Sequence, residues 1–506
     1  MAAAFVPLVA GVVGTSVGLG RAREATRLAE KRAIEAEIES RTSQRTSDFL
    51  ASVLSSADPA VSLGRDLTVR EVIDDAAAML EIELNDEPEV SLRSRITLCQ
   101  TYLSLARIDE ARAQADEAMR LAERSSGKDG LSYARALSAR AAVARAARMQ
   151  EESVALSRAS LDLFGRLLTQ DDVRVARAKV ALADALSLDW KFDQAKSLLR
   201  EARPVLDAAH DPSALRCTLL LTSMLSRRVA DAKSGEAAEA ERLMAESLTS
   251  ARSRGASGEL DVSALLLARG DLRRRDQRIA EAETDYRGSL EIRRRVYPAH
   301  HPSITSAAMR LAAAMSARGA HRDALEVLTP IIEALRAQKR TGDAPFAQLV
   351  GLAGKCAGEL ERHADAVGYH EEALTIHRTM SNRVMQSVSL TDLGRAYLRP
   401  ERFAAGGLAL REAMTLSGGG HSAEPMVVIA LATALDGQGK HAEASEALRP
   451  VIGLLSSQAP GSMVLLEAMR LRAEQLRAAG FLAEAAEQEA ALDRLEKGGS
   501  TTGREE

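Results

Sequence analysis

Ten small residues recur at nearly constant spacing along this 506-residue chain: Ala111, Ser153, Ala195, Ala240, Ala282, Ala324, Ala366, Gly406, Ala444 and Ala485. The successive steps are 42, 42, 45, 42, 42, 42, 40, 38 and 41 residues. A period of this size means one supersecondary unit stacked along an axis, each copy burying its apolar face on the next. Such an array lengthens without dividing, so chain length does not count domains here. It also restricts function, because a stack of repeats presents an extended surface rather than an enclosed catalytic pocket.

Registering the repeats on these positions brings out further columns. Four residues on stand Ala115, Ser157, Leu199, Met244, Tyr286, Leu328, His370, Leu410, Leu448 and Glu489, mostly apolar, and seven on stand Ala118, Ser160, Ala202, Ser247, Ser289, Ile331, Ala373, Ala413, Val451 and Leu492, mostly small. Offsets of four and seven trace one helix face. Upstream of each lies a second helix with pairs such as Leu182-Ala183, Leu311-Ala312, Leu393-Gly394 and Leu431-Ala432, and Gly319, Gly439 and Gly480 punctuate the join. Aromatic residues are 3% of the chain while the AVILMFWYC set is 46%. Ala and Leu therefore build the core, which suits close-packed helices and leaves little for a sheet. The expected fold class is all-α.

Leu98, Tyr102, Ile108, Ala111 and Ala118 in the first unit resemble the tetratricopeptide repeat. So do Leu311, Ala312, Gly319, Ala324 and Leu328 in the sixth, and Leu393, Gly394, Tyr397, Phe403 and Ala413 in the eighth. The period exceeds the usual 34 residues. The junction from Leu290-Glu291-Ile292-Arg293 to Tyr297-Pro298-Ala299-His300-His301-Pro302 is similar to the longer kinesin-light-chain-like subclass. This resemblance implies a right-handed superhelical solenoid of about ten helix hairpins over residues 89–492, preceded by a long N-terminal helix.

Residues 2–20 carry no charge, and Arg21, Arg23, Arg27, Lys31 and Arg32 follow at once. A secretory signal would place its positive charge before the apolar run. The expectation is a membrane-spanning helix over residues 1–20, giving a single-pass location in a bacterial inner membrane, with a buried or interfacial helix as the alternative. Gly14 and Gly18 form a GxxxG pair that would let two such helices approach in a homodimer. Residues 21–57 read as a polar juxtamembrane helix, 58–88 as a linker and capping helix, and 493–506 as a disordered tail. Thr68 and Glu71 have capping-box spacing. The series Gly18-Leu19-Gly20-Arg21-Ala22-Arg23, Phe49-Leu50, Ala57-Asp58-Pro59, Leu67 to Asp74 and Glu87-Pro88-Glu89-Val90 resembles the region beyond the kinase domain in bacterial transmembrane serine/threonine protein kinases. That resemblance implies a membrane anchor and repeat region whose catalytic domain is missing or encoded upstream. The family often carries its repeats outside the membrane, whereas the basic cluster after residue 20 favours the cytoplasmic side. Orientation stays open.

Enzyme chemistry finds no support in the residues. His321-Arg322-Asp323 copies three letters of a kinase catalytic loop, but the metal-binding Asn position five residues later is Leu328. His363, His370 and His377 fall at sevens rather than the three or four that lets two ligands share an ion, and only the last two are expected on one helix. Cys99, Cys217 and Cys356 are scattered, with no CxxC, and read as small buried hydrophobes. No catalytic, cofactor-binding or metal site is expected.

A net charge of −4 argues against nucleic acid as a partner. The expected function is a membrane-anchored scaffold that engages a protein partner in bacterial signalling, with the C-terminal region of a kinase, or a soluble adaptor or ligand-binding regulator, as alternatives. In tetratricopeptide proteins the first helix of each unit lines a concave groove, and the resemblance places Arg93, Arg135 and Arg177 there, one repeat apart. Guanidinium forks match carboxylates, so these three suit an acidic segment. Kinesin-light-chain-like repeats clamp peptide backbone with groove Asn residues, yet this chain has only Asn85 and Asn382. A helical or globular partner segment is therefore favoured over an extended one. Ser417-Gly418-Gly419-Gly420 marks the expected soft point of the array.

Overall fold

The structure, a computed structural model, describes residues 37, 40–49, 51–53, 68–84, 86–226, 235–399, 402–417 and 424–499. Among these residues the chain is helical, with no strand. Two compact units divide it, Met1–Leu243 and Met244–Glu506.

The first unit opens with α1, helical at 40–49 and 51–53, and α2, Val69–Glu83. Its hairpins follow in order: α3 (Pro88–Ser104) with α4 (Ile108–Ser126), α5 (Leu131–Ala146) with α6 (Gln150–Leu167), and α7 (Val173–Leu188) with α8 (Phe192–Ala208). Helix α9 (Ser213–Leu225) packs on α7 and α8. The unit boundary falls inside α10, Glu236–Ser253. The second unit stacks six hairpins: α11 (Glu259–Arg275) with α12 (Ile279–Val296), α13 (Pro302–Ala317) with α14 (His321–Ala337), and α15 (Ala344–Glu359) with α16 (His363–Thr379). The remaining three are α17 (Arg383–Ala396) with α18 (Phe403–Leu416), α19 (Pro425–Asp436) with α20 (His441–Gln458), and α21 (Met463–Ala478) with α22 (Leu482–Gly499). Each unit is thus an all-α stack of tetratricopeptide-like hairpins. Helix α22 extends beyond residue 493, where the tail was expected to begin.

The hairpin turns follow one rule. Five residues before the small-residue column, the chain adopts a positive φ at Ala106, Arg148, Trp190, Gln277, Gly319, Glu361, Gly439 and Gly480. The backbone N–H of the next residue then reaches back to a carbonyl five residues earlier, as Arg107 does to Tyr102 (2.9 Å), Arg278 to Arg273 (2.8 Å) and Ala320 to Met315 (2.9 Å). This Schellman closure satisfies carbonyls that the helix end would leave bare. The small residues themselves are buried near the start of each second helix. One turn further along, where larger residues follow the small column, the first helix is whittled to match its partner. A Cβ on Gly270 would stand 2.5 Å from the Tyr286 ring, and one on Gly354 would stand 2.7 Å from the His370 imidazole. One on Gly394 would stand 2.6 Å from Leu410 Cγ.

Two expectations about the N-terminal part change. The single-pass membrane location is corrected, since no described helix is long and apolar enough to cross a bilayer. A span needs about 20 apolar residues, and the described helices hold polar residues on the faces turned from their neighbours. Residues 2–20, with Gly14 and Gly18, lie outside the described residues. Helix α1 is not solvated all round, because Phe49 and Val53 are buried against Val72, Ile73, Leu80, Leu98 and Tyr102. The Thr68–Glu71 capping box forms as expected, the Thr68 side chain accepting from the Glu71 N–H while the Glu71 carboxylate accepts from the Thr68 N–H at 2.7 Å. The expected soft point at 418–420 and residues 500–506 lie outside the described residues.

Candidate partner-binding groove

In the first unit, α3, α5 and α7 line a groove of about 680 Å³. The three arginines singled out by their period all face it: Arg93 from α3, Arg135 from α5 and Arg177 from α7. The reason is geometric. Equal repeats return the same helix face to the same side of the stack, so one residue per period falls on one line. Arg174, one turn before Arg177, joins them; the period alone does not mark it, because the matching positions hold Ser132 and Val90. Ser43, Thr46 and Ser47 of α1 line the same groove, beyond the reach of repeat counting.

The ladder arrives with carboxylates of its own. Glu89 accepts from Arg93 at 3.5 Å, from Arg135 at 3.3 Å and from the Ser132 hydroxyl at 2.6 Å. One carboxylate near the start of α3 thereby links two rungs. Arg177 Nε donates to Asp211 at 3.0 Å, and Asp211 also accepts from the Ser213 N–H at 2.8 Å at the entry to α9. Burial works to raise the Asp211 pKa, but the hydrogen bonds from Arg177 and Ser213 outweigh it and leave it below the usual value. Asp172 caps α7 and accepts from Arg174 Nη2 at 2.7 Å, and that bond holds its carboxyl low despite partial burial. Arg177 keeps 55% of its side chain exposed, whereas Arg135 keeps 18%. Deeper along the stack, Asp184 receives Arg145 at 3.3 Å and also Arg216.

The other sequence candidates are placed as follows. Leu328, after the kinase-like triplet, is fully buried in the core of the second unit. Asn382 caps α17, its side-chain oxygen accepting from the Met385 N–H at 3.2 Å. Asn85 lies outside the described residues. His363, His370 and His377 all belong to α16, which begins earlier than the spacing suggested. Among the described residues no three His, Cys, Asp or Glu side chains are placed to share a metal ion. All three cysteines are buried, and burial pushes the thiols of Cys99 and Cys217 up to about 12. They stay protonated and unreactive at neutral pH.

Residues 261–337 match the tetratricopeptide repeat family. The chain thus contains tetratricopeptide repeats. No curated protein matches its sequence. Among solved structures, the apo quorum sensor NprR from B. thuringiensis is 11% identical, with a TM-score of 0.48, covering 75% of this chain and 99% of that one. A signal-transduction ATPase with a tetratricopeptide repeat sensor from Pyrococcus horikoshii is 12% identical, with a TM-score of 0.49, covering 79% of this chain and 56% of that one. A Podosopora anserina kinesin light chain with nearly identical TPR-like repeats is 15% identical, with a TM-score of 0.27, covering 49% and 97%. Likenesses this distant carry no functional inference for these tetratricopeptide repeats.

Proposed function

We propose that this chain is a non-catalytic tetratricopeptide adaptor whose first-unit groove holds an acidic, helical segment of a partner protein. The observation that carries this reading is the convergence of Arg93, Arg135 and Arg177 from three successive repeats on one groove. An array of guanidinium groups one repeat apart can meet carboxylates spaced along a rigid helix, and planar forks reward that match more than point charges would. Glu89 and Asp211 hold the arginines in place in the free protein, so the partner's carboxylates exchange with or add to existing bonds. The adaptor reading needs no spanning helix, in keeping with the described helices.

Fluorescence anisotropy on the full chain tests this with a labelled Glu-rich helical peptide and a Lys-rich counterpart. The Glu-rich peptide is expected to bind, to weaken with added salt, and to lose about tenfold or more in affinity in Arg93→Gln/Arg135→Gln. Equal binding of both peptides, or an unchanged affinity in the double variant, would sink the reading.

A further inference from the structure

A second cleft, wholly within the second unit and of about 600 Å³, has a different chemistry. Three of the chain's nine histidines line it: His321, His363 and His370. His321 and His363 each open the second helix of their hairpin, 42 residues apart, so the repeat period stacks them. His370 lies two turns along α16 from His363. It fits only because Gly354 on the facing helix has no side chain to meet its ring. It is 3% exposed, lines the cleft and makes no hydrogen bond among the described residues.

The charged groups facing His370 from the neighbouring helices are unevenly paired. Lys355 of α15 bonds Asp392 of α17 at 3.2 Å. Arg395 of α17 and Arg399 just beyond it make no ion pair or side-chain hydrogen bond among the described residues. Glu359 is the other carboxylate in the lining. Lys355, Arg395 and Arg399 against Glu359 and Asp392 leave an excess of one positive charge, before any imidazole takes a proton. Two uncommitted guanidinium forks beside a buried, unbonded imidazole form a donor set for an oxyanion.

We propose that this cleft binds an oxyanion, a phosphate monoester or a carboxylate, between Arg395, Arg399 and His370. The anion's charge offsets the crowding of cations, and His370 takes up a proton to donate the third bond. In the free protein burial keeps the His370 pKa below its usual value, helped by Lys355 and Arg395 and opposed by Asp392. A bound anion raises it again, so binding takes up a proton and tightens as pH falls. This site is separate from the arginine groove and does not depend on the role proposed there.

Isothermal titration of the full chain at constant ionic strength tests the site with inorganic phosphate in one arm and glutarate in the other. At least one anion is expected to bind saturably, more tightly at about pH 6 than at about pH 8. Arg395→Gln/Arg399→Gln is expected to lower that affinity by about tenfold or more, while Arg449→Gln, on an exposed face of α20, leaves it unchanged. His370→Gln should flatten the pH dependence, and thermal melts check that each variant folds. Preference for phosphate identifies a phosphate monoester as the source, and preference for glutarate identifies a carboxylate. No saturable binding of either anion, or equal binding by wild type and the arginine double variant, overturns the proposal.

Discussion

A left-handed residue at eight hairpin turns, from Ala106 to Gly480, is a tax that this chain settles unevenly. Gly319, Gly439 and Gly480 adopt positive φ freely, but Ala106, Arg148, Trp190, Gln277 and Glu361 adopt it against the clash of Cβ with the backbone. The structure tolerates this because the Schellman bonds and the packing of the next helix fix the turn. Gln277→Gly is therefore expected to stabilise the protein by up to about 1 kcal/mol, and Gly319→Ala to destabilise it by about 1 kcal/mol. Chemical denaturation of the two variants checks both signs, and opposite shifts are the expected result. The glycine turns were legible in the sequence. The others were not, because nothing in Arg148 or Glu361 announces positive φ until the hairpin closes around it.

At the scale of helices, the groove is held by bonds from one hairpin to the next. Asp211 precedes α9 and fastens Arg177 of α7. Its folded pKa lies below the ordinary carboxylate value of about 3.9. A carboxylate so depressed contributes stability that is fully present above that ordinary value and is lost as pH falls through the folded value. Asp211→Asn is expected to lower the melting temperature at neutral pH, and its deficit relative to wild type should shrink as pH falls below about 4. Melting curves across that range decide it, and a deficit independent of pH would assign the loss to packing alone. The same scale explains why Arg174 escaped sequence reading. A capping Asp172 turns it into the groove, whereas the equivalent positions of the earlier repeats hold Ser132 and Val90.

Across the whole molecule, stacked repeats behave nearly one-dimensionally, each supported by its immediate neighbours. Ala324 is fully buried where α14 meets its neighbours. Ala324→Leu forces methylenes into that contact at a cost of about 1–3 kcal/mol. Hydrogen exchange is expected to quicken in α13–α16 of this variant, while α3–α7 keep wild-type protection. Uniform quickening throughout the chain would show one cooperative block instead. The small-residue period identified this position without coordinates, since a residue that must stay small at every repeat marks a close approach of helices.

The sequence by itself determined the helical repeat, its register and the line of three arginines, because those follow from periodicity and periodicity is a local property of the chain. The tertiary structure alone decided what the arginines touch. Glu89 reaches Arg135 and Asp211 reaches Arg177 across hairpins, through distances that no spacing rule encodes. It also joined α1 to the first repeat and set three histidines beside two uncommitted arginines in one cleft. Periodicity specifies which face a residue occupies, whereas packing specifies which faces meet, and binding chemistry arises where they meet.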